Sequence, residues 1–256
     1  MISQKNFLLL HSSNDLYGAS KIFLQLIDLF ISKGFNVHVV LPEKGNLDDL
    51  LNKKDITVTY HELGVLRKKY LNPLGLFNRL VTNIKAIKFL SNYIKNHSID
   101  LVYTNTSTVL CGGIAAKKND VSSIFHIHEI PTGNKLYEFL SGKIINIISN
   151  KVLTVSNSVK KHWLKYIDDK KIERIYNGII FSKTDSLIKL ERDQDDFVIT
   201  SVARIIPYKG HGYLIDVANE LIKKSTKFKF LIVGDTLSSY VSYEKSVKQK
   251  VNDLGL

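Results

Sequence analysis

The stretch SVARIIPYKGHGYLI, residues 201–215, contains two cations whose positions suggest phosphate chemistry. Arg204 directly follows the apolar run 197–203, which has the composition of a buried strand, and Lys209 precedes a segment of helical period at 212–224. A guanidinium can hold two phosphate oxygens at once, an ammonium acts as a compact charge, and a helix N-terminus favours negative charge. We therefore predict that both cations bind a diphosphate and stabilise its charge as it leaves. The alternative is that both are solvated surface cations.

A second polar group follows the run SSIFHIHEIP, where His126, His128 and Glu129 lie at the end of a predicted strand. The period of two places both histidines on one side of that strand. A histidine here can orient a sugar hydroxyl or transfer a proton near neutral pH. For His126 we favour a core histidine bonded to a backbone carbonyl. No third ligand stands at a convincing spacing, so a metal is not expected.

Glycines and capping residues mark the beginnings of predicted helices. Gly18 stands at the mouth of the first helix, where it allows backbone N–H groups to approach an anionic ligand, although an ordinary tight turn explains it equally well. The sequence around it does not match GxGxxG. Ser156 to Ser158 have the residue types of a helix N-cap, and Asn177-Gly178 is a turn signal.

The whole chain alternates short apolar runs with segments of helical period, which is typical of parallel strands covered by helices on both faces. We predict a doubly wound α/β fold. A polar, charge-rich stretch at 181–196 reads as a linker between a domain over 1–180 and a second domain over 197–256. The second has only two predicted strands, so we expect it to be the first half of a domain in a protein truncated at its C-terminus.

Composition favours anionic partners. The chain has 36 Lys and Arg against 24 Asp and Glu, a net charge of +12, and one cysteine, Cys111. It lacks an apolar run long enough for a signal peptide or a membrane span. We expect a protein of the cytoplasm, at the inner face of the cytoplasmic membrane if it contacts lipid. The lysines are scattered rather than clustered in a groove with aromatics, so nucleic acid is not an expected partner.

In their order and spacing these motifs resemble the retaining family 4 glycosyltransferases of GT-B architecture, which have two Rossmann-like domains with the active site between them. The segments that carry the resemblance are NDLYGASKIFLQLI, FHIHE, VLTVSNSVKKHWLK, IYNGI, VARIIPYKGHGYLIDVA and FKFLIVGDT. The first reads YGAS where Gly-Gly-x-Glu is commoner. The family's Glu-x7-Glu segment would lie beyond residue 256.

The resemblance implies a role for each motif. Arg204 and Lys209 would bind the donor diphosphate and act with His128, which would contact the transferred sugar, in catalysis without a metal or other cofactor. Gly18 would lie near the phosphates or the acceptor, Gly234 and Asp235 would border the nucleotide, and Glu129 and Asn177 would lie on the acceptor side. The implied reaction transfers a sugar from a nucleotide-sugar to a glycan or lipid-linked acceptor with retention, in bacterial surface polysaccharide synthesis.

Two alternatives to a glycosyltransferase remain open, as does the role of the basic segment 63–95. A nucleotide-sugar epimerase has the same architecture, and a truncated chain could be an inactive nucleotide-sugar-binding remnant. The basic, aromatic-bearing segment 63–95 could touch an anionic membrane. Its helix could instead pack its apolar stripe on the sheet and leave lysines in water.

Overall fold

A computed structural model shows a chain that divides into two compact units, residues 1–181 and 182–256. The structure describes residues 4–54, 56–66, 70, 72–131, 135–180, 193, 195–236 and 238–256. The linker predicted over 181–196 lies almost wholly outside the described residues, so its bounds remain a prediction.

The first unit is built on a seven-stranded parallel sheet in the order β3-β2-β1-β4-β5-β6-β7. Its strands are β1 (Asn6–Leu10), β2 (Asn36–Leu41), β3 (Thr57–Tyr60), β4 (Ile99–Thr104), β5 (Ser122–Ile127), β6 (Lys151–Thr154) and β7 (Ile172–Arg174). Its helices are α1 (Gly18–Ser32), α2 (Asp48–Asn52), α3 (Pro73–Asn96), α4 (Cys111–Lys118), α5 (Lys135–Ile148) and α6 (Asn157–Trp163). The strand order reverses between β1 and β4, which is the topological switch point of a doubly wound sheet.

Helices cover both faces of this sheet, which explains why its strands are apolar without alternation. In β1, Leu8 and Leu10 pack with residues of α3 and α4 on one face. Phe7 and Leu9 pack with α1 on the other. A strand buried on both sides needs apolar residues at every position, so the α/β prediction from NFLLL is confirmed.

The second unit contains two parallel strands, β8 (Phe197–Val202) and β9 (Phe228–Val233), with the helices α7 (His211–Lys224) and α8 (Val241–Asp253). Short 3-10 turns precede both helices, at Pro207–Lys209 and Ser238–Tyr240. Among the described residues, the three large core clusters belong to the first unit.

Three short elements escaped the sequence analysis. β7 has three residues and α2 has five, which is too few to establish a period. α4 has the sequence CGGIAAKK, and paired glycines argue against a helix. Packing favours them here, because a Cβ at Gly112 would lie 2.1 Å from Leu10 Cδ1 and one at Gly113 would lie 2.7 Å from Phe125 Cε2, so these buried side chains would have to shift.

Candidate functional site

The carboxyl ends of β1, β4 and β5 are adjacent in the sheet, and each is followed by a polar residue that can bind a ligand. These residues are His11 after β1, Asn105 after β4 and His128 after β5. Open α/β sheets bind ligands at the carboxyl ends of their strands, beside the switch point. Together with Ser20 of α1, these three residues form the histidine–asparagine cluster.

Asn105 holds this cluster together. Its backbone N–H donates to Leu10 O at 2.9 Å, and its side-chain Nδ2 donates to Ala19 O at 3.1 Å. Nδ2 also lies 3.3 Å from Nδ1 of His11, and Oδ1 lies 2.9 Å from Nε2 of His128. One buried amide therefore ties β1, β5 and the first turn of α1 to the end of β4.

His11 is a neutral member of the cluster at physiological pH. Its Nε2 lies 3.1 Å from Ser20 Oγ, and its ring stacks on Phe23 with a centroid distance of 5.0 Å. Burial lowers the pKa of His11 to about 4, assisted by the repulsion of His128 and opposed by a backbone hydrogen bond at Asn105. In the neutral ring, one of these two nitrogens donates a hydrogen bond and the other accepts one.

His128 is half-buried and has one ring nitrogen available for a ligand. Burial lowers the pKa of His128, and the nearby Glu129 charge partly offsets this effect. With the Asn105 amide oriented as described, the neutral ring donates through Nε2 to Asn105 Oδ1. Nδ1 then carries a lone pair, and no described residue hydrogen-bonds to it. The ring can accept a hydrogen bond there from a substrate hydroxyl.

Glu129 is fixed by the strand ends around it. Its Oε1 accepts from Ser107 N at 2.7 Å, Ser107 Oγ at 2.6 Å and Thr106 Oγ1 at 2.9 Å. Its Oε2 accepts from the backbone N–H of His128 at 3.1 Å, and its carbonyl accepts from Trp163 Nε1. These contacts show a carboxylate that joins the β4 and β5 exits, while its acceptor-side role remains a prediction.

His126 is a core histidine, as the sequence suggested, but its partner is different from the one expected. Its Nδ1 lies 2.9 Å from the hydroxyl of Tyr103, rather than bonding a backbone carbonyl. Burial, with a contribution from His128, lowers the pKa of His126 to about 3. Its ring lies 4.3 Å from that of His128, so the two share one side of β5 as predicted.

Gly18 begins α1, which confirms its predicted place at the helix mouth. A Cβ at this position would meet nothing within 4 Å, so packing does not require a glycine. The preceding residue, Tyr17, makes no side-chain cap, and the first turn has no acidic residue. Contact of this turn with a ligand remains a prediction.

In the second unit, the two predicted phosphate ligands follow β8. Arg204 is half-buried two residues past the strand, and Lys209 is exposed at the end of the 3-10 turn. Gly210 then caps α7 with φ of 78°, a left-handed conformation that glycine adopts without strain. The next residue, His211, is buried, and neither of its ring nitrogens has a partner among the described residues. The placement of Arg204 at a strand exit and Lys209 just before a helix follows the sequence prediction.

Gly234 and Asp235 lie at the exit of β9, where the structure gives a packing reason for the glycine. A Cβ at Gly234 would lie 1.9 Å from Ala203 O. Asp235 O accepts from Ile205 N at 2.9 Å, and Thr236 Oγ1 donates to Ile205 O at 2.9 Å. Close contact between the exits of β8 and β9 therefore explains Gly234 without a ligand.

Asn177 lies in an irregular, exposed stretch after β7. Residues 175–180 have no regular secondary structure, so the turn expected at Asn177-Gly178 is not seen as a regular turn. Its acceptor-side role remains a prediction.

Sequence reasoning missed His11, Ser20 and Asn105. The signal was available, because HSS and TNT directly follow the apolar runs of β1 and β4. What the sequence did not show was that these two strands are neighbours. Among the described residues, no group of three or more His, Cys, Asp or Glu side chains is placed to hold a metal ion.

A doubly wound parallel sheet followed by a second parallel α/β unit defines a GT-B-like protein with Rossmann-like domains. A family model described as Glycosyltransferase Family 4 matches residues 17–183, and the chain belongs to this family. An uncharacterized glycosyltransferase of Haemophilus influenzae is 27% identical over 150 residues, which make up 57% of this chain and 41% of that protein.

Solved structures share the fold. The structure of HepE from Anabaena in complex with UDP matches 98% of the chain with a TM-score of 0.77 and 22% identity, and the chain spans 66% of it. A Listeria monocytogenes protein provisionally described as a UDP-N-acetylglucosamine 2-epimerase is less similar, with a TM-score of 0.59 and 13% identity over 98% of this chain and 66% of that one. The chain thus spans less than two thirds of each of these relatives.

Proposed function

We propose that the protein is part of a glycosyltransferase that moves a sugar from a nucleoside diphosphate donor to a glycan or lipid-linked acceptor. Membership of Glycosyltransferase Family 4 supports this reaction class. The observation that carries the proposal is the neutral His128 ring, which Asn105 holds at the carboxyl end of β5 with Nδ1 open to a hydroxyl. We further propose retention of anomeric configuration and a place in bacterial surface polysaccharide synthesis.

In this proposal the cations of the second unit bind the donor diphosphate. Arg204 binds two phosphate oxygens through its guanidinium, and the Lys209 ammonium places a compact positive charge beside the N-terminus of α7. As the bond to the sugar breaks, negative charge grows on the leaving phosphate, and the two cations stabilise it. We propose that they do so without a metal or other cofactor. We propose that Gly234 and Asp235 border the nucleotide, that Gly18 lies near the phosphates or the acceptor, and that Glu129 and Asn177 lie on the acceptor side.

Nucleotide binding provides the direct test, with UDP and UDP-glucose as probes in titration calorimetry. Lys209→Gln and Arg204→Lys should each weaken binding by roughly tenfold or more, because a hydrogen bond to a charged group is worth about 1.5–3 kcal/mol. Lys245→Gln on α8 makes the same charge change as Lys209→Gln at another exposed lysine and should leave the affinity unchanged. If Lys209→Gln and Arg204→Lys bind UDP as tightly as the parent and the Lys245→Gln control do, neither residue binds the phosphates.

An epimerase is the second candidate, favoured by the weaker Listeria likeness. Incubation with the donor and no acceptor separates the two, since only an epimerase would return an isomerised nucleotide-sugar. With an acceptor present, the anomeric signal of the product in NMR tests retention. Binding without turnover under either condition would indicate a nucleotide-sugar-binding remnant.

We propose that the protein acts in the cytoplasm, at the inner face of the cytoplasmic membrane, where a lipid-linked acceptor would be reached. No described helix is long and apolar enough to cross a membrane.

A further inference from the structure

Glu129 joins two strand exits that backbone pairing does not join. The parallel ladder between β4 and β5 ends where Thr104 pairs with Phe125, and no backbone hydrogen bond links residues 105–108 to residues 126–130. Beyond the ladder, Oε1 of Glu129 accepts from residues 106 and 107, and its Oε2 accepts from the backbone N–H of His128. One side chain therefore replaces the ladder at this edge of the sheet.

This link fixes the distance between Asn105 and His128. Thr106 and Ser107 directly follow Asn105 in the sequence, and Glu129 directly follows His128. The hydrogen bonds of the carboxylate and the 2.9 Å contact between Asn105 Oδ1 and His128 Nε2 therefore close a small ring of contacts. Without the carboxylate, only that side-chain contact would hold the two exits at this spacing.

The donors to this carboxylate are buried and depend on it. Ser107 is fully buried and Thr106 is 4% exposed, so their hydrogen bonds to Glu129 have no replacement from water. No Lys or Arg among the described residues forms an ion pair with Glu129, so N–H and O–H donors balance its charge. The backbone of Glu129 is held as well, because its carbonyl accepts from Nε1 of the buried Trp163 at 3.1 Å. Removing the acceptor would leave buried donors unsatisfied, which is costly.

The charge of Glu129 also acts on the groups around the β5 exit. Burial lowers the pKa of His128, and the Glu129 charge raises it in partial compensation. Burial raises the pKa of Tyr137 in α5 to about 12, with a further contribution from the same charge. Glu129 therefore influences the His128 ring both through hydrogen bonds and through its charge.

We propose that Glu129 is a positioning residue, which holds His128 against Asn105 so that the ring presents an unprotonated Nδ1 to the sugar. In this role Glu129 acts through His128 and does not itself have to touch a substrate. The inference rests on the proposed function, because it assigns the ring the same contact with a sugar hydroxyl. Direct contact between Glu129 and the acceptor is the competing explanation for a carboxylate at this place.

Nitrogen NMR of the full chain, labelled with ¹⁵N at histidine, tests this inference without any ligand. The ring signals of His128 are assigned by their loss in His128→Gln. In the parent, Nε2 should carry the proton, Nδ1 should not, and the Nε2 proton should exchange slowly with water. In Glu129→Gln, which keeps the shape of the side chain, this proton should exchange roughly tenfold faster, because a hydrogen bond to a charged acceptor contributes at least such a factor.

A second variant and a control keep the result independent of folding. Ser107→Ala removes one donor to Oε1, leaves the carboxylate in place and should raise the exchange rate by a smaller factor. The indole N–H of Trp163, the single tryptophan, donates to Glu129 O, so a parental indole signal shows that the β5 exit is intact. Glu43→Gln makes the same charge change at an exposed carboxylate after β2 and should leave the His128 signals unchanged.

The exchange rates decide between the two explanations. Unchanged exchange in Glu129→Gln and Ser107→Ala, or an equal change in Glu43→Gln, overturns the inference and leaves contact with the acceptor as the reason for Glu129. If Glu129→Gln does not fold, Ser107→Ala decides alone.

Titration with UDP and UDP-glucose connects the ring position with the sugar. Glu129→Gln should keep the parental affinity for UDP and lose roughly threefold to tenfold of the preference for UDP-glucose, the effect of one hydrogen bond. Asn105→Leu should lose the same preference, and the double variant should lose no more than either single variant, because both residues act through one ring. Additive losses would mean that Glu129 contacts the ligand directly, which overturns the inference. A parent that does not bind UDP, or does not prefer UDP-glucose, counts against the proposed function, while the exchange rates still decide the role of Glu129.

Discussion

At the scale of single residues, Gly234 shows how the exits of β8 and β9 are constrained. A Cβ there would meet the Ala203 carbonyl at 1.9 Å, and backbone atoms on both sides are held by hydrogen bonds. We expect Gly234→Ala to lower the free energy of unfolding of the second unit by about 1–3 kcal/mol, the usual cost of overpacking. Urea denaturation followed by a spectroscopic probe in this unit would measure it.

Gly212→Ala is the matched control for this substitution. Gly212 lies in the first turn of α7, and its Cβ would meet nothing within 4 Å. Alanine is the better helix former, so this change should be neutral or should stabilise by up to roughly 1 kcal/mol. If both alanines have the same effect, close packing does not explain Gly234, and a ligand contact becomes the better reason for it.

At the scale of elements, α6 shows a cap that the sequence predicts closely. The side chain of Ser156 accepts from Val159 N at 3.2 Å, so it is the N-cap, and Asn157 and Ser158 are the first helical residues. We expect Ser156→Ala to destabilise the first unit by about 1 kcal/mol. Ser158→Ala, at an exposed position without a capping bond, should change the unfolding free energy by less than about 0.5 kcal/mol. A cost at Ser158 equal to that at Ser156 would contradict this assignment.

Elements with a strong local pattern were predictable, and those defined by neighbours were not. NFLLL and NVHVVL are apolar throughout, so their strands follow from composition. The helix at CGGIAAKK could not be predicted from composition, because glycine disfavours a helix. Only the close approach of Leu10 and Phe125 explains the two glycines. In the same way, His128 was found from its own strand, whereas Asn105 became recognisable only when β4 was placed between β1 and β5. The sequence shows which residues end a strand, and the sheet order decides which of them meet.

At the scale of the whole molecule, buried neutral histidines make stability depend on pH. The pKa of His11 falls from 6.5 to about 4 on folding, and that of His126 falls from 6.5 to about 3. Between pH 6.5 and pH 4 the unfolded chain therefore binds more protons than the folded chain, so acidification favours unfolding. Burial also lowers the pKa values of His38 and His128, which adds an effect of the same sign. The pKa values of the Asp48 and Glu173 carboxyl groups are also lowered, but their contributions begin to be lost only below about pH 4.5, outside the range from pH 7 to pH 5.

We expect the free energy of unfolding to fall as pH goes from 7 to 5, by about 2 kcal/mol for each of His11 and His126. Urea titrations at the two pH values would measure the difference. His126→Phe removes one titrating ring and should lower that difference by about 2 kcal/mol, whatever it does to stability at pH 7. Ser158→Ala, which keeps every histidine, should preserve it. A difference that is unchanged in His126→Phe would mean that His126 takes up its proton over the same pH range in the folded and the unfolded chain, and that burial does not keep this ring neutral at pH 5.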